Sequence, residues 1–121
     1  MESRSKQILV VDDDEDILVF LQALLEDEGY IVTTTSKGEY VEKLHNGSFP
    51  DLIVLDVLLS GKDGRAIAKQ LKSQEDTKHI PILMMSAHPS AEQTAREAGA
   101  EDFLPKPFDV DVLLTKIAYH L

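Results

Sequence analysis

Pro50-Asp51-Leu52-Ile53-Val54-Leu55-Asp56 is the stretch on which the fold turns. Residues 52–55 are apolar without polar alternation, so a strand formed here must be covered on both faces. Ile80-Pro81-Ile82-Leu83-Met84-Met85-Ser86 reads the same way, and Ile8-Leu9-Val10-Val11 is a shorter run of the same kind. Strands buried on two faces belong to parallel sheets sandwiched between helices.

The segments between these runs supply the helices. Ile17, Leu18, Phe20, Leu21, Leu24 and Leu25 recur at helical spacing, and Gly29 stops that helix. Residues 30–35 form a second β-branched run. Ser36 and Glu39 then have capping-box spacing, which predicts a helix through about His45, broken at Asn46-Gly47. Residues 66–72 read as a third helix, and Ser90 with Gln93 forms a second capping-box pair opening a helix that Gly99 closes. A short fifth strand over residues 101–104 leads through Pro105-Lys106-Pro107 to a last helix, with Asp109 as its N-cap and Val110, Leu113, Leu114, Ile117 and Leu121 as its apolar stripe. Five strand–helix units of about 24 residues each are close to the minimum for a βαβ crossover. The prediction is one doubly wound α/β domain over residues 1–121 with a five-stranded parallel sheet, residues 1–6 being a polar tail.

Composition narrows the function classes. The 121 residues carry 12 Lys and Arg against 22 Asp and Glu, a net charge of -10, which opposes the phosphate contacts of nucleic-acid binding. There is no cysteine, which removes disulfides, thiol catalysis and cysteine-ligated zinc. No apolar run approaches the roughly 20 residues of a membrane-spanning helix, and the N-terminus does not resemble a signal peptide, so a cytoplasmic location is expected.

In doubly wound folds the functional crevice lies beyond the carboxyl ends of the strands. Strand one ends in Asp12-Asp13-Asp14-Glu15-Asp16, strand three in Asp56, strand four in Ser86, and strand five is followed by Lys106. Clustered carboxylates repel, by about 4 kcal/mol for two charges about 4 Å apart at an effective dielectric near 20. A divalent cation relieves this, and an all-oxygen donor set suits Mg²⁺ rather than zinc or copper. Asp14, Glu15 and Asp16 read more simply as a solvated helix start. Among the histidines, His45, His79 and His120 read as surface residues, whereas His88 lies two positions past Ser86. An EF-hand loop opening at Asp12 would need Gly at 17 and Glu at 23, where the chain has Ile17 and Ala23. No Walker loop is present, and five carboxylates after strand one disfavour a mononucleotide phosphate.

Four stretches together resemble the receiver domain of bacterial response regulators. They are Ile8-Leu9-Val10-Val11-Asp12-Asp13, Pro50 to Asp56 with Gly61 and Asp63-Gly64, Ser86-Ala87, and Gly99-Ala100 with Phe103 and Lys106-Pro107-Phe108. They occur in order over nearly the whole chain. The resemblance implies a flavodoxin-like (βα)5 fold with strand order 2-1-3-4-5. It implies that Asp56 accepts a phosphoryl group from a phosphohistidine on a sensor histidine kinase or phosphotransfer protein. Mg²⁺ would be held by Asp13, by Asp12 directly or through water, by Asp56 and by the backbone carbonyl of Leu58. Lys106 would pair with Asp56 and then with the phosphoryl oxygens, its ammonium aimed by a cis Lys106-Pro107 bond, and the Ser86 hydroxyl would donate to one of those oxygens. Inward motion of Ser86 would let Phe103 rotate into the vacated space, reshaping the face of the fourth helix, fifth strand and fifth helix. That face would dock an output domain or target protein, or dimerise. Such a domain is a switch and not an enzyme acting on a metabolite. The chemistry is reasonable, since phosphoryl transfer requires mainly alignment and charge neutralisation.

The chain departs from the family's pattern at several positions. Phe103 replaces the commoner tyrosine, and Ser60 stands where proline is usual, which is expected to loosen that loop. Leu58 and His88 fill the two variable positions flanking the site, and apolar Leu58 is expected to order attacking water poorly and slow phosphoryl loss. Two other readings compete. One is a phosphatase or phosphotransferase with an aspartyl nucleophile in Asp12-x-Asp14, although the following residues lack the Thr or Val of that pattern and there is no room for a specificity cap. The other is a receiver-like scaffold that binds partners without phosphorylation.

Overall fold

The computed structural model describes residues 5–42, 44 and 49–121, so the expected end of the second helix near His45 and its break at Asn46-Gly47 lie outside the described residues. Among the described residues, the five strands of the main sheet alternate with five helices: β1 Gln7–Val11, α1 Glu15–Asp27, β2 Ile31–Thr35, α2 Gly38–Glu42, β3 Leu52–Asp56, α3 Gly64–Lys72, β4 Ile82–Ser86, α4 Glu92–Glu97, β5 Asp102–Pro105 and α5 Val110–His120. The strands form one sheet in the order β2-β1-β3-β4-β5, every pair parallel, which is the flavodoxin-like arrangement. No helix among the described residues is long and apolar enough to cross a membrane.

The uninterrupted apolar runs follow from two separate cores. Leu9, Val11, Ile53, Leu55, Ile82, Met84 and Phe103 belong to one buried cluster, with Val41 of α2, Ile67 and Leu71 of α3 and Ala95 of α4. The alternate strand residues Ile8, Val10, Leu52, Val54, Leu83, Met85 and Leu104 belong to the other, with Leu18, Leu21 and Leu25 of α1 and Leu113 and Ile117 of α5. Successive side chains point to opposite faces of a strand, and here each face has its own helical cover.

The ends of the helices agree with the sequence in part. Asp109 caps α5, accepting from the amides of Asp111 and Val112 at 2.8 and 3.1 Å, and Asp14 caps α1, as expected of a helix-start carboxylate. Neither expected capping box forms. The second helix begins at Gly38, and the Thr35 hydroxyl, not Ser36, accepts from the Lys37 amide at 3.1 Å. Before α4, Pro89 sets the backbone of a single 3-10 turn over Pro89–Ala91, and Ser90 makes no cap. The sequence also did not reveal a two-residue antiparallel ladder, Leu58–Leu59 with Lys62–Asp63, closed by a turn in which Gly61 has φ of 74°.

Candidate functional site

Strand register brings the site together. Val11 pairs with Leu55, Asp56 with Met85, and Ser86 with Pro105, so Asp12, Asp56, Ser86 and Lys106 stand along one rim of the sheet. Asp12 is completely buried: one carboxylate oxygen accepts from the Asp14 amide at 2.9 Å, and the other from Lys106 Nζ at 2.7 Å. The same ammonium lies 3.3 Å from Asp56 Oδ1. Asp13 is exposed at the mouth, and one oxygen from each of Asp12, Asp13 and Asp56 lies within 4.8 Å of the others.

One cation among three carboxylates leaves the cluster two charges short of neutrality. The electrostatics of Asp56 record that deficit: burial first, then the charge of Asp12, push its carboxyl up to about 6, while Lys106 pulls the other way and Asp13 adds a smaller upward push. For Lys106, burial alone would lower the ammonium's pKa, but the hydrogen bond and charge of Asp12, with Asp56 behind them, raise it overall. The lysine therefore stays charged at neutral pH. Oxygen-only donors carrying this excess negative charge, with one ligand open to solvent, suit a hard divalent cation such as Mg²⁺.

The loop after β3 is shaped around Asp56. The Gly64 amide donates to the Val57 carbonyl at 2.6 Å, and a Cβ at Gly64 would overlap the Asp56 carbonyl oxygen, so only glycine fits there. On the other side, buried Ser86 accepts through Oγ from the His88 amide at 2.9 Å, and its carbonyl accepts from the Lys106 amide at 2.7 Å. The Lys106-Pro107 peptide is cis. Leu58, two residues past Asp56, pairs with Asp63 and leaves its side chain half exposed.

A family model for the response regulator receiver domain matches residues 8–118. The chain belongs to the receiver domain family. Over 106 residues this receiver domain is 45% identical to the alkaline phosphatase synthesis transcriptional regulatory protein PhoP of Bacillus subtilis, covering 86% of this chain and 43% of that protein. The chain thus spans less than half the length of that relative. Among solved structures, chemotaxis protein CheY4 of Vibrio cholerae matches with a TM-score of 0.86 and 30% identity, covering 98% of this chain and 100% of that one. Response regulator TrrA of Thermotoga maritima, solved in complex with Mg(2+)-BeF, matches with a TM-score of 0.85 and 30% identity, covering 96% and 99%.

Phe103 lies in the core, 4% exposed, in the cluster that contains Ala91 and Ala95. A phenyl ring, unlike a tyrosine, has no hydroxyl to satisfy and meets no polar cost on full burial. Two features of this receiver domain differ from expectation. The loop at Ser60 is tied rather than loosened, because Ser60 Oγ donates to Asp13 Oδ2 at 2.8 Å. His120 is not a free surface residue: its Nε2 lies 3.0 Å from Asp102 Oδ2, while Lys116 Nζ and Arg96 Nη2 reach Asp102 Oδ1 at 2.9 and 3.4 Å. Asp102 on β5 thus joins α4 to α5. Burial would raise its pKa, but the bonds from Lys116 and His120, with the Phe103 amide, bring it down to about 2. His79 and His88 are exposed.

Proposed function

We propose that this chain is the phospho-acceptor switch of a two-component phosphorelay, with Asp56 the residue phosphorylated. The carrying observation is the Lys106 ammonium held between fully buried Asp12 and Asp56. Asp12 is the poorer nucleophile of the two, since it is fully enclosed and more tightly held by Lys106, at 2.7 Å against 3.3 Å for Asp56, which disfavours the phosphatase reading. Asp56 keeps one oxygen near Lys106 and sits beside the exposed mouth formed by Asp13.

In the proposed reaction an Asp56 carboxylate oxygen attacks phosphorus in line. The P–N bond of a phosphohistidine on the sensor histidine kinase or phosphotransfer protein breaks as the new P–O bond forms, and the imidazole leaves with the electron pair of the broken bond. Lys106 neutralises charge gathering on the phosphoryl oxygens, and the Ser86 hydroxyl, freed from the His88 amide, donates to one of them. Asp13, Asp56 and the Leu58 carbonyl, with Asp12 directly or through water, would hold Mg²⁺, which when bound supplies charge neutralisation and alignment. The Mg(2+)-BeF complex of TrrA supports this assignment.

Rearrangement at Ser86 is read out through β5, where Phe103 and Asp102 are neighbours, to the α4–β5–α5 face. That face would engage an output domain or target, or a second copy, in the cytoplasm. Leu58, apolar and exposed at the rim, favours a slow loss of the phosphoryl group. A test is ¹⁹F NMR with beryllium fluoride, a phosphoryl mimic. A bound resonance that requires both Mg²⁺ and Asp56 is expected; one that persists in Asp56→Asn contradicts the assignment.

A further inference from the structure

We propose that Ser60 is a positioning residue for the candidate metal ligand Asp13, an inference that rests on the Mg²⁺ reading above. Asp13 is the one exposed carboxylate of the cluster, and its only side-chain hydrogen bond among the described residues is the 2.8 Å bond from Ser60 Oγ. An exposed carboxylate otherwise rotates freely and must be ordered when an ion binds. Ser60 holds one oxygen and leaves the other without a protein partner among the described residues.

The donor is itself fixed. Ser60 sits in the turn of the Leu58–Leu59 and Lys62–Asp63 ladder, which is anchored on two further sides. Lys62 Nζ bonds Glu42 Oε1 of α2 at 2.9 Å, and Asp63 caps α3, accepting from the Arg65 amide at 2.8 Å and from its guanidinium through both oxygens at 2.9 Å. A hydroxyl on such a loop pre-orients the carboxylate, the role that outer hydrogen-bond partners play around metal ligands generally. The bond joins residues 47 positions apart and also ties the loop carrying Leu58 to the end of β1.

The test is Mg²⁺ affinity, read from amide chemical shifts during titration of the ¹⁵N-labelled chain, for the wild type, Ser60→Ala, Ser60→Thr, Asp13→Ala and the Ser60→Ala/Asp13→Ala double variant. Ser60→Ala is expected to weaken binding about 3- to 10-fold, less than the roughly 10- to 100-fold usual for outer partners because the site is open to water. Ser60→Thr, which keeps the hydroxyl, restores affinity, and Ser60→Ala has no further effect once Asp13 is Ala. An unchanged affinity in Ser60→Ala, an equal loss in the Asp13→Ala background, or a Thr variant as weak as Ala overturns the role of Ser60 while leaving the metal site standing. A wild-type chain that binds no Mg²⁺ overturns the metal reading, and this proposal with it.

Discussion

Replacing Asp56 by Asn should stabilise the metal-free protein at pH 7.5. The Asp56 carboxyl is pushed from 3.8 to about 6, by burial and then by Asp12. A folded-state pKa above the unfolded value means that the folded chain holds this proton more tightly. Stability therefore falls as pH rises between 3.8 and about 6, and the whole cost is present above that window. The displacement corresponds to about 3 kcal/mol, an upper figure because Lys106 and Asp12 readjust once Asp56 is neutral, so a gain of about 1–3 kcal/mol is expected. For a domain of this size that is a rise in Tm of roughly 3–12 °C. Urea or thermal unfolding in chelator at pH 7.5 and 4.5 measures it, and the advantage of Asn should shrink to about a third at the lower pH, where the folded wild type is already protonated. Saturating Mg²⁺ should narrow the gap at pH 7.5 by stabilising the wild type preferentially. An Asn variant less stable than the wild type at pH 7.5, or an advantage independent of pH, would refute the electrostatic account.

The same geometry makes three further predictions. Lys106→Ala leaves buried Asp12 and Asp56 without their cation and should cost about 2–4 kcal/mol in urea unfolding at pH 7.5; a cost below about 0.5 kcal/mol would contradict the buried pairing. Gly64→Ala drives a Cβ into the Asp56 carbonyl and should cost about 2–4 kcal/mol, with amide shifts displaced at Asp56 and Val57. Asp102→Asn should cost about 1–2 kcal/mol at pH 7. Because the folded pKa is depressed to about 2, that contribution is present above 3.8 and is lost as pH falls toward 2, so unfolding at pH 2.5 should show most of the difference gone.

Much of the site was legible because each strand stops abruptly in a polar residue. Val11 gives way to Asp12, Leu55 to Asp56 and Met85 to Ser86, and in a parallel sheet all such ends share a rim. The fold was legible for a related reason, since strands covered on both faces cannot alternate apolar with polar. What escaped notice depends on contacts between distant residues. Nothing local marks Ser60 as the partner of Asp13, and His120 lies beside the apolar stripe of the last helix without any hint that Asp102 waits on the neighbouring strand. The capping-box pattern at Ser90 and Gln93 misled because three-residue spacing is weaker than the backbone restriction imposed by Pro89.

Intact mass after incubation with Mg²⁺ and a small acyl phosphate tests the assignment of Asp56 most directly. The account predicts a single adduct of about 80 Da that forms only with Mg²⁺, is labile to hydroxylamine and is absent from Asp56→Asn. The same adduct on Asp56→Asn, or its formation in chelator at the wild-type rate, would contradict it.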